Sequence, residues 1–268
     1  DLTRLLVGSE GTLGIISKLT MKLHGIPEKI SGGICSFPNI KSACNAVIST
    51  IQYGIPVARI ELLDPMQVKA CNNYSGLSLP EMPLLLLEFH GTETSVKEQS
   101  FLFSEIVKEY TDQEFVWTTE PSKRAELWKA RHNAYWASHS LMPGATGIST
   151  DVCVPISKLA DCVEETRKDI EKNSIVSTIV GHVGDGNFHC LPLCMPNDKK
   201  MKKTIKDFTN RLSERAISYG GTCTGEHGIG QGKIDYLFQE LGESVKIMHS
   251  IKKTLDPNNI LNPGKIFN

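Results

Sequence analysis

The sequence predicts an α+β fold, an antiparallel sheet covered on one side by helices. Three observations lead there. Strand-like apolar runs alternate with helical periodicity along most of the chain; two apolar runs, the first rich in β-branched residues, flank an Asp185-Gly186 turn within Ile175–Leu193; and a long amphipathic stretch, Lys199–Tyr219, follows directly.

Taken in order, the first element is a glycine-rich loop, Gly8-Ser9-Glu10-Gly11-Thr12-Leu13-Gly14-Ile15, followed by an alternating strand at Ile16–Leu23 and the breakers Gly25 and Pro27. Residues 1–27 read as the closing edge of one domain, and 28–268 as a second. Strands are expected at Gly32–Phe37, Val57–Leu62 and Leu84–His90, with helices at Ile40–Gln52, Pro65–Tyr74, Thr94–Tyr110 and Ser122–Ser138 between and after them. A strand at Ile148–Val154, a helix at Ser157–Lys172 and the hairpin follow. Asp198 is the expected cap and Gly220 the terminating glycine of the Lys199–Tyr219 helix. From Gln231 onward two short helices lead into a turn-rich tail, Asp256-Pro257-Asn258-Asn259-Ile260-Leu261-Asn262-Pro263-Gly264-Lys265.

Composition excludes several classes. With 268 residues, 40% hydrophobic and 22% charged, the chain can bury a sizeable core, and its net charge of −1 offers no electrostatic case for nucleic acid. The run Lys199-Lys200-Met201-Lys202-Lys203 reads as a solvated helix face. Eight cysteines without a CxxC pattern read as reduced thiols in an intracellular compartment. No run approaches the ~20 apolar residues of a membrane span, so the chain reads as soluble or at most peripheral. It starts at Asp1 without a targeting peptide, which points to a processed or truncated product. The glycines at 8, 11 and 14 miss the dinucleotide fingerprint; neither Gly232-Lys233 nor Gly264-Lys265 completes a P-loop, and no H-E-x-x-H is present.

Chemistry concentrates in Gly181-His182-Val183-Gly184-Asp185-Gly186-Asn187-Phe188-His189. A two-residue turn at Asp185-Gly186 would pair His182 with His189 on one face, close enough to share a cation. The same segment also reads as a polar hairpin whose histidines only form hydrogen bonds. Downstream, Glu226 and His227 stand side by side in the loop Gly225-Glu226-His227-Gly228-Ile229-Gly230. Two histidines and one carboxylate make a ligand set that leaves positions open for substrate, and His227 reads either as a base facing that substrate or as a satisfied loop histidine. Trp128, Arg131 and Tyr135 share a helix face at i, i+3 and i+7: either a carboxylate clamp between rings, or an arginine snorkelling over a core-facing aromatic stripe.

Gly8–Ile15, Gly181–His189, Gly225–Gly230 and Asn262-Pro263-Gly264-Lys265, in that order, resemble the flavin-linked oxidases of the vanillyl-alcohol-oxidase type over essentially the whole chain. The resemblance implies a ferredoxin-like C-terminal domain preceded by the tail end of an FAD-binding domain. It implies FAD touched by Gly8, Ser9, Glu10, Gly11, Gly14 and Ile15 and approached by Asn262, and a zinc or manganese ion on His182, His189 and Glu226. His227 would be the base and Arg131 the substrate-carboxylate ligand. The implied activity is oxidation of a D-2-hydroxy acid, D-lactate first, with a respiratory acceptor such as cytochrome c, in mitochondria and at most peripheral to the inner membrane. Related hydroxyglutarate enzymes would carry a lysine near Ser149 and an asparagine near Leu191; their absence argues against a second substrate carboxylate. The alternatives are a dehydrogenase of another D-2-hydroxy acid (2-hydroxyglutarate, glycolate or a branched acid), a metal-dependent hydrolase using the same ligands, and an inactive fragment.

Overall fold

The structure, a computed structural model, describes residues 1–267. After a short helix α1 (Leu2–Leu6), the chain runs β1 (Lys29–Ser36), α2 (Ile40–Gln52), β2 (Val57–Leu63), α3 (Pro65–Ser75), β3 (Leu84–Gly91), α4 (Glu93–Val107), β4 (Val116–Thr118), α5 (Pro121–His132) and α6 (Ala134–Ser140). It continues through β5 (Thr146–Gly147), β6 (Val152–Cys153), α7 (Leu159–Lys172), β7 (Ser177–Gly181), β8 (Asn187–Cys194), α8 (Lys199–Ser218), α9 (Ile234–Leu241) and α10 (Ser244–Leu255). The strands form one sheet in the order β4-β1-β3-β2-β7-β8-β5, with β6 also on β8, and every pair is antiparallel. The α+β class read from the sequence is the class observed.

Helices cover both faces of this sheet rather than one. Leu85 and Leu87 of β3 enter a core with α2, α4, α7 and α8, while Leu84 and Leu86 enter a second core with α3, α5 and α6. A run of four leucines has no polar side to give to water, so a strand built from it needs both faces buried. In the first core Phe89, Phe103 and Phe115 pack at 4.7–6.5 Å between ring centres, each burial contributing about 1.5–3 kcal/mol. A third, smaller core joins Cys223 and Ile229 to α9, α10 and the tail. All eight cysteines are free thiols.

Local capping signals act as their chemistry requires at α3 and α8. Asp64 and Asp198 accept from the backbone N–H of Gln67 and Met201 at 2.8 Å, capping α3 and α8, and Gly220 at φ +76° closes α8.

Four expectations change. Ile16–Leu23 joins no ladder, and Leu19, Met21 and Leu23 are exposed, because no strand among the described residues lies alongside it. The helix expected over Ser122–Ser138 breaks at Asn133, whose amide donates to Ser75 Oγ, giving α5 and α6. Of the strand expected at Ile148–Val154 only β6 remains, and β5 lies just before it: the N–H groups of Ile148 and Thr150 still donate to Pro192 and Cys190, but Pro192 has no N–H to return and Thr150 Oγ1, not a backbone oxygen, accepts from Cys190.

The hairpin also departs from a two-residue turn. The β7–β8 register pairs Val180 with His189, so five residues, His182–Gly186, span the turn. Val183–Asp185 form a 3-10 turn that sinks Val183 into the core. Gly186 closes it at φ +79°, where a Cβ would lie 2.0 Å from the Val154 carbonyl oxygen, so glycine is required twice over. His182 is therefore carried past the end of the ladder. It emerges next to β2, whose Leu62 pairs with Gly181, and this brings Glu61 alongside it.

Candidate active site and ion site

The two histidines converge despite the altered register. His189, on β8, is buried, and His182 leans toward it from the turn with 6.0 Å between ring centres. Glu226, from the loop after α8, points Oε1 at both, 3.1 Å from His189 Nε2 and 3.6 Å from His182 Nε2.

Hydrogen bonding fixes which nitrogens are available. His189 Nδ1 lies 3.0 Å from the Thr150 carbonyl, which only accepts, so Nδ1 carries the proton and Nε2 the lone pair. His182 Nδ1 donates to Glu61 Oε1 at 2.6 Å, while its Nε2 accepts from Arg131 Nη2 at 3.3 Å. Both imidazoles thus have an unprotonated Nε2 near the Glu226 carboxylate, that of His182 being shared with Arg131 Nη2. Two imidazole nitrogens and one carboxylate oxygen are a donor set suited to a zinc- or manganese-like ion. The hydrogen bond to Glu61 raises the His182 pKa, whereas burial lowers that of His189.

A second trio, Asp151, His189 and His227, also lies within reach of one ion, but its carboxylate is already engaged. Asp151 Oδ2 accepts the backbone N–H of Glu226 at 2.9 Å and of His227 at 2.8 Å, and Thr224 Oγ1 at 2.9 Å; Oδ1 accepts Asn187 Nδ2 at 2.8 Å. Burial alone would push this carboxyl up. The His227 and Glu226 amides, the Asn187 side chain and the nearby Lys233 outweigh it and hold the carboxyl well below the usual carboxylate range. Asp151 is the anchor of the Glu226–His227 loop.

His227 stacks on His189, 4.8 Å between centres and 7° from parallel, which leaves its edge facing the adjoining cavity. That cavity, of about 180 Å³, is bounded by Arg131, Tyr135, Leu191, Ser149, Glu226 and His227. Its floor is neutral: Ser138 Oγ donates to Gln67 Oε1 at 2.8 Å and lies 3.0 Å from Thr178 Oγ1. Cys190, also lining it, is pushed up to about 12 by burial, so its thiol stays protonated. A larger hollow of about 370 Å³ lies between α9, α10 and the tail and holds none of these residues.

Arg131 reaches this cavity without the expected aromatic sandwich. Trp128 turns into the core beneath Arg59, and Tyr135, on the other side of the helix break, packs edge-on against Trp136 and His139. Arg131 is held instead by Glu61, Nε to Oε2 at 2.8 Å.

The glycine-rich loop and the tail also meet. Asn262 Nδ2 donates to the Glu10 carbonyl at 2.6 Å, and the buried Lys252 ammonium ties the Thr12 and Leu261 carbonyls together at 2.9 and 2.8 Å. The Glu10 carboxylate turns away from this surface and accepts from Ile229 and Gly230 N–H at 2.6 and 2.8 Å, joining the loop to the strand of chain that carries His227. Gly8 and Ile15 stand open on the outer side, with nothing within 4 Å of a Cβ placed on Gly8. None of the Gly8–Ile15 residues lines the ion-site cavity.

Sequence reasoning passed over Glu61, Thr150 and Asp151. Two of them left a signal: an acid inside an otherwise apolar strand, as in Ile60-Glu61-Leu62-Leu63 or Asp151-Val152, is expensive to bury and implies committed partners.

Over its 268 residues the chain is 47% identical to the Probable D-lactate dehydrogenase, mitochondrial, of Danio rerio and 43% identical to the D-lactate dehydrogenase (cytochrome), mitochondrial, of Arabidopsis thaliana. Both alignments cover 100% of the chain but 54% and 47% of those proteins, so the chain spans about half the length of the curated relatives it matches. Among solved structures, a 4-ethylphenol oxidase from Gulosibacter chungangensis superposes with a TM-score of 0.70 over 92% of this chain and 55% of that one, at 17% identity, a likeness of fold. The family model described as FAD linked oxidases, C-terminal domain, matches residues 26–266, which takes in the sheet, its helices and the segments that carry His182, His189 and Glu226, and the chain belongs to that family.

Proposed function

We propose that the chain is the substrate- and ion-binding part of an FAD-dependent D-2-hydroxyacid dehydrogenase that oxidises D-lactate to pyruvate. One observation carries the reading: in a member of this family, His182 Nε2, His189 Nε2 and Glu226 Oε1 converge beside an arginine and a second-loop histidine bordering one small cavity. Residues 1–27 are read as the end of a flavin-binding domain, and 28–268 as the substrate domain with a tail that touches the flavin. Gly8, Ser9, Glu10, Gly11, Gly14, Ile15 and Asn262 would lie against FAD; of these, Glu10 contributes its backbone, since its carboxylate is engaged elsewhere.

When bound, FAD supplies the hydride acceptor, and a zinc or manganese ion held by His182, His189 and Glu226 supplies Lewis acidity toward an α-hydroxyl. The protein's own groups do the rest. Arg131 pairs with the substrate carboxylate through the donors that Glu61 leaves free, and its charge discriminates for a 2-hydroxy acid. His227 takes the α-hydroxyl proton, assistance worth about 10²–10⁴ in rate, as the α-hydrogen departs with its electron pair. The neutral floor of Gln67, Ser138 and Thr178 accommodates a short, uncharged substrate side chain.

The names of the relatives support a mitochondrial setting with cytochrome c or another respiratory carrier as electron acceptor. No helix among the described residues is long and apolar enough to cross a membrane.

The test uses the full-length protein, with flavin bleaching by D-lactate and metal content measured together. His189→Ala should lose both stoichiometric metal and turnover, because two remaining ligands hold an ion poorly. A variant that kept both at the wild-type level would overturn the reading.

A further inference from the structure

Glu61 is a buried carboxylate on β2 whose two oxygens serve two different parts of the site. Oε1 accepts from His182 Nδ1 and Oε2 from Arg131 Nε, partners that lie 121 and 70 residues away in sequence. Burying an ionised carboxylate is costly unless each oxygen is matched by a donor, and here both are. As an acceptor-only group it dictates the state of each partner: His182 must carry its proton on Nδ1, and Arg131 must spend Nε, which sets its Nη2 3.3 Å from His182 Nε2 and leaves Nη1 at the cavity wall without a protein acceptor among the described residues.

We propose that Glu61 is the positioning residue that couples the ion site to the carboxylate clamp, fixing with one side chain the free nitrogen of His182 and the free edge of Arg131. This rests on the function read above. Glutamine at this position has the same shape but one oxygen, so it can accept from His182 or from Arg131 and must point N–H at the other. Either the His182 tautomer or the arginine orientation is then lost.

The experiment compares full-length wild type, Glu61→Gln, Arg131→Gln and the double variant, measuring Mn²⁺ affinity by competition with a chromophoric chelator and KM and kcat for D-lactate at saturating Mn²⁺. Glu61→Gln should weaken Mn²⁺ binding by about 10- to 100-fold, as loss of an orienting partner of a ligating histidine does, and should raise KM more than it lowers kcat. In the Arg131→Gln background the two introduced amides can pair and leave the carbonyl oxygen at position 61 to His182, so the added Glu61→Gln change should cost no more than about twofold in Mn²⁺ affinity. Mn²⁺ binding within about twofold of wild type together with an unchanged KM for D-lactate in Glu61→Gln would overturn the proposal.

A second readout survives a variant that fails to fold. Nitrogen NMR of the metal-free wild type should show His182 protonated on Nδ1; an Nε2–H tautomer would overturn the role of Glu61 by itself. If wild type binds neither Mn²⁺ nor Zn²⁺, the ion site fails as a reading, and the tautomer still decides Glu61.

Discussion

Replacing Asp151 by asparagine tests the anchor of the Glu226–His227 loop. In the native protein one carboxylate oxygen receives Thr224 Oγ1 and the N–H groups of Glu226 and His227, and the other receives Asn187 Nδ2, with the Lys233 ammonium 3.6 Å away. Asparagine keeps the three-donor position only by placing its carbonyl there, which aims its NH₂ at the NH₂ of Asn187. Asn187 cannot flip to compensate, because the same Nδ2 also donates to the Val152 carbonyl at 3.0 Å. The three retained bonds fall from charge-assisted to neutral, about 1 kcal/mol each, and the fourth is lost with a buried donor left unpaired, about 1–2 kcal/mol. The sum is about 4–5 kcal/mol, before the weakened pairing of Lys233. That strain has two outlets, global unfolding or release of the loop, and urea denaturation together with Mn²⁺ affinity captures both. Asp151→Asn is expected to lower unfolding free energy by about 4–5 kcal/mol, or to lose Mn²⁺ binding with smaller destabilisation. A variant within about 0.5 kcal/mol of wild type that also bound Mn²⁺ normally would show that Asp151 does not hold the loop.

Arg131→Lys keeps the charge but loses the planar fork shared between Glu61 and the cavity, so KM should rise for every 2-hydroxy acid tested; unchanged steady-state kinetics would return Arg131 to a structural role. With Arg131 alone among the cations on the cavity wall, and Ser149 and Leu191 beside it, a second substrate carboxylate would go unpaired. D-2-hydroxyglutarate should accordingly show kcat/KM at least about 100-fold below D-lactate, and the reverse order would refute the assignment. Away from the site, burial opposes ionisation of Asp169, but its bonds to Arg211 and Arg215 prevail and lower its pKa. A depressed folded pKa gives stability that is fully present above the unfolded carboxylate value, roughly pH 4, and is lost as pH falls through the folded one. Asp169→Asn should cost about 2 kcal/mol at neutral pH, discounted because Arg211 is 40% exposed, and the gap to wild type should close in acid; parallel pH–stability curves would contradict it.

Much of the fold was written locally. The caps at Asp64 and Asp198 and the glycine at 220 each act through neighbours a few residues away, and the four leucines at 84–87 mark a strand by residue type alone, so their elements formed close to where the pattern put them. His182, His189, Glu226 and His227 were likewise legible as candidate ligands, because side-chain type alone tells what an atom can coordinate. What tertiary structure decided is which partner each group meets. Burial of Val183 set the hairpin register, and that register delivered His182 to Glu61 on a strand 121 residues earlier in the chain. Asn133 broke the helix that would have flanked Arg131 with rings, and Glu61 took their place. Asp151 acquired its role only when a loop 75 residues downstream laid its N–H groups against it. Hydrogen-bond pairing across such separations depends on the packed positions of several elements at once, and no local pattern of residue types encodes it.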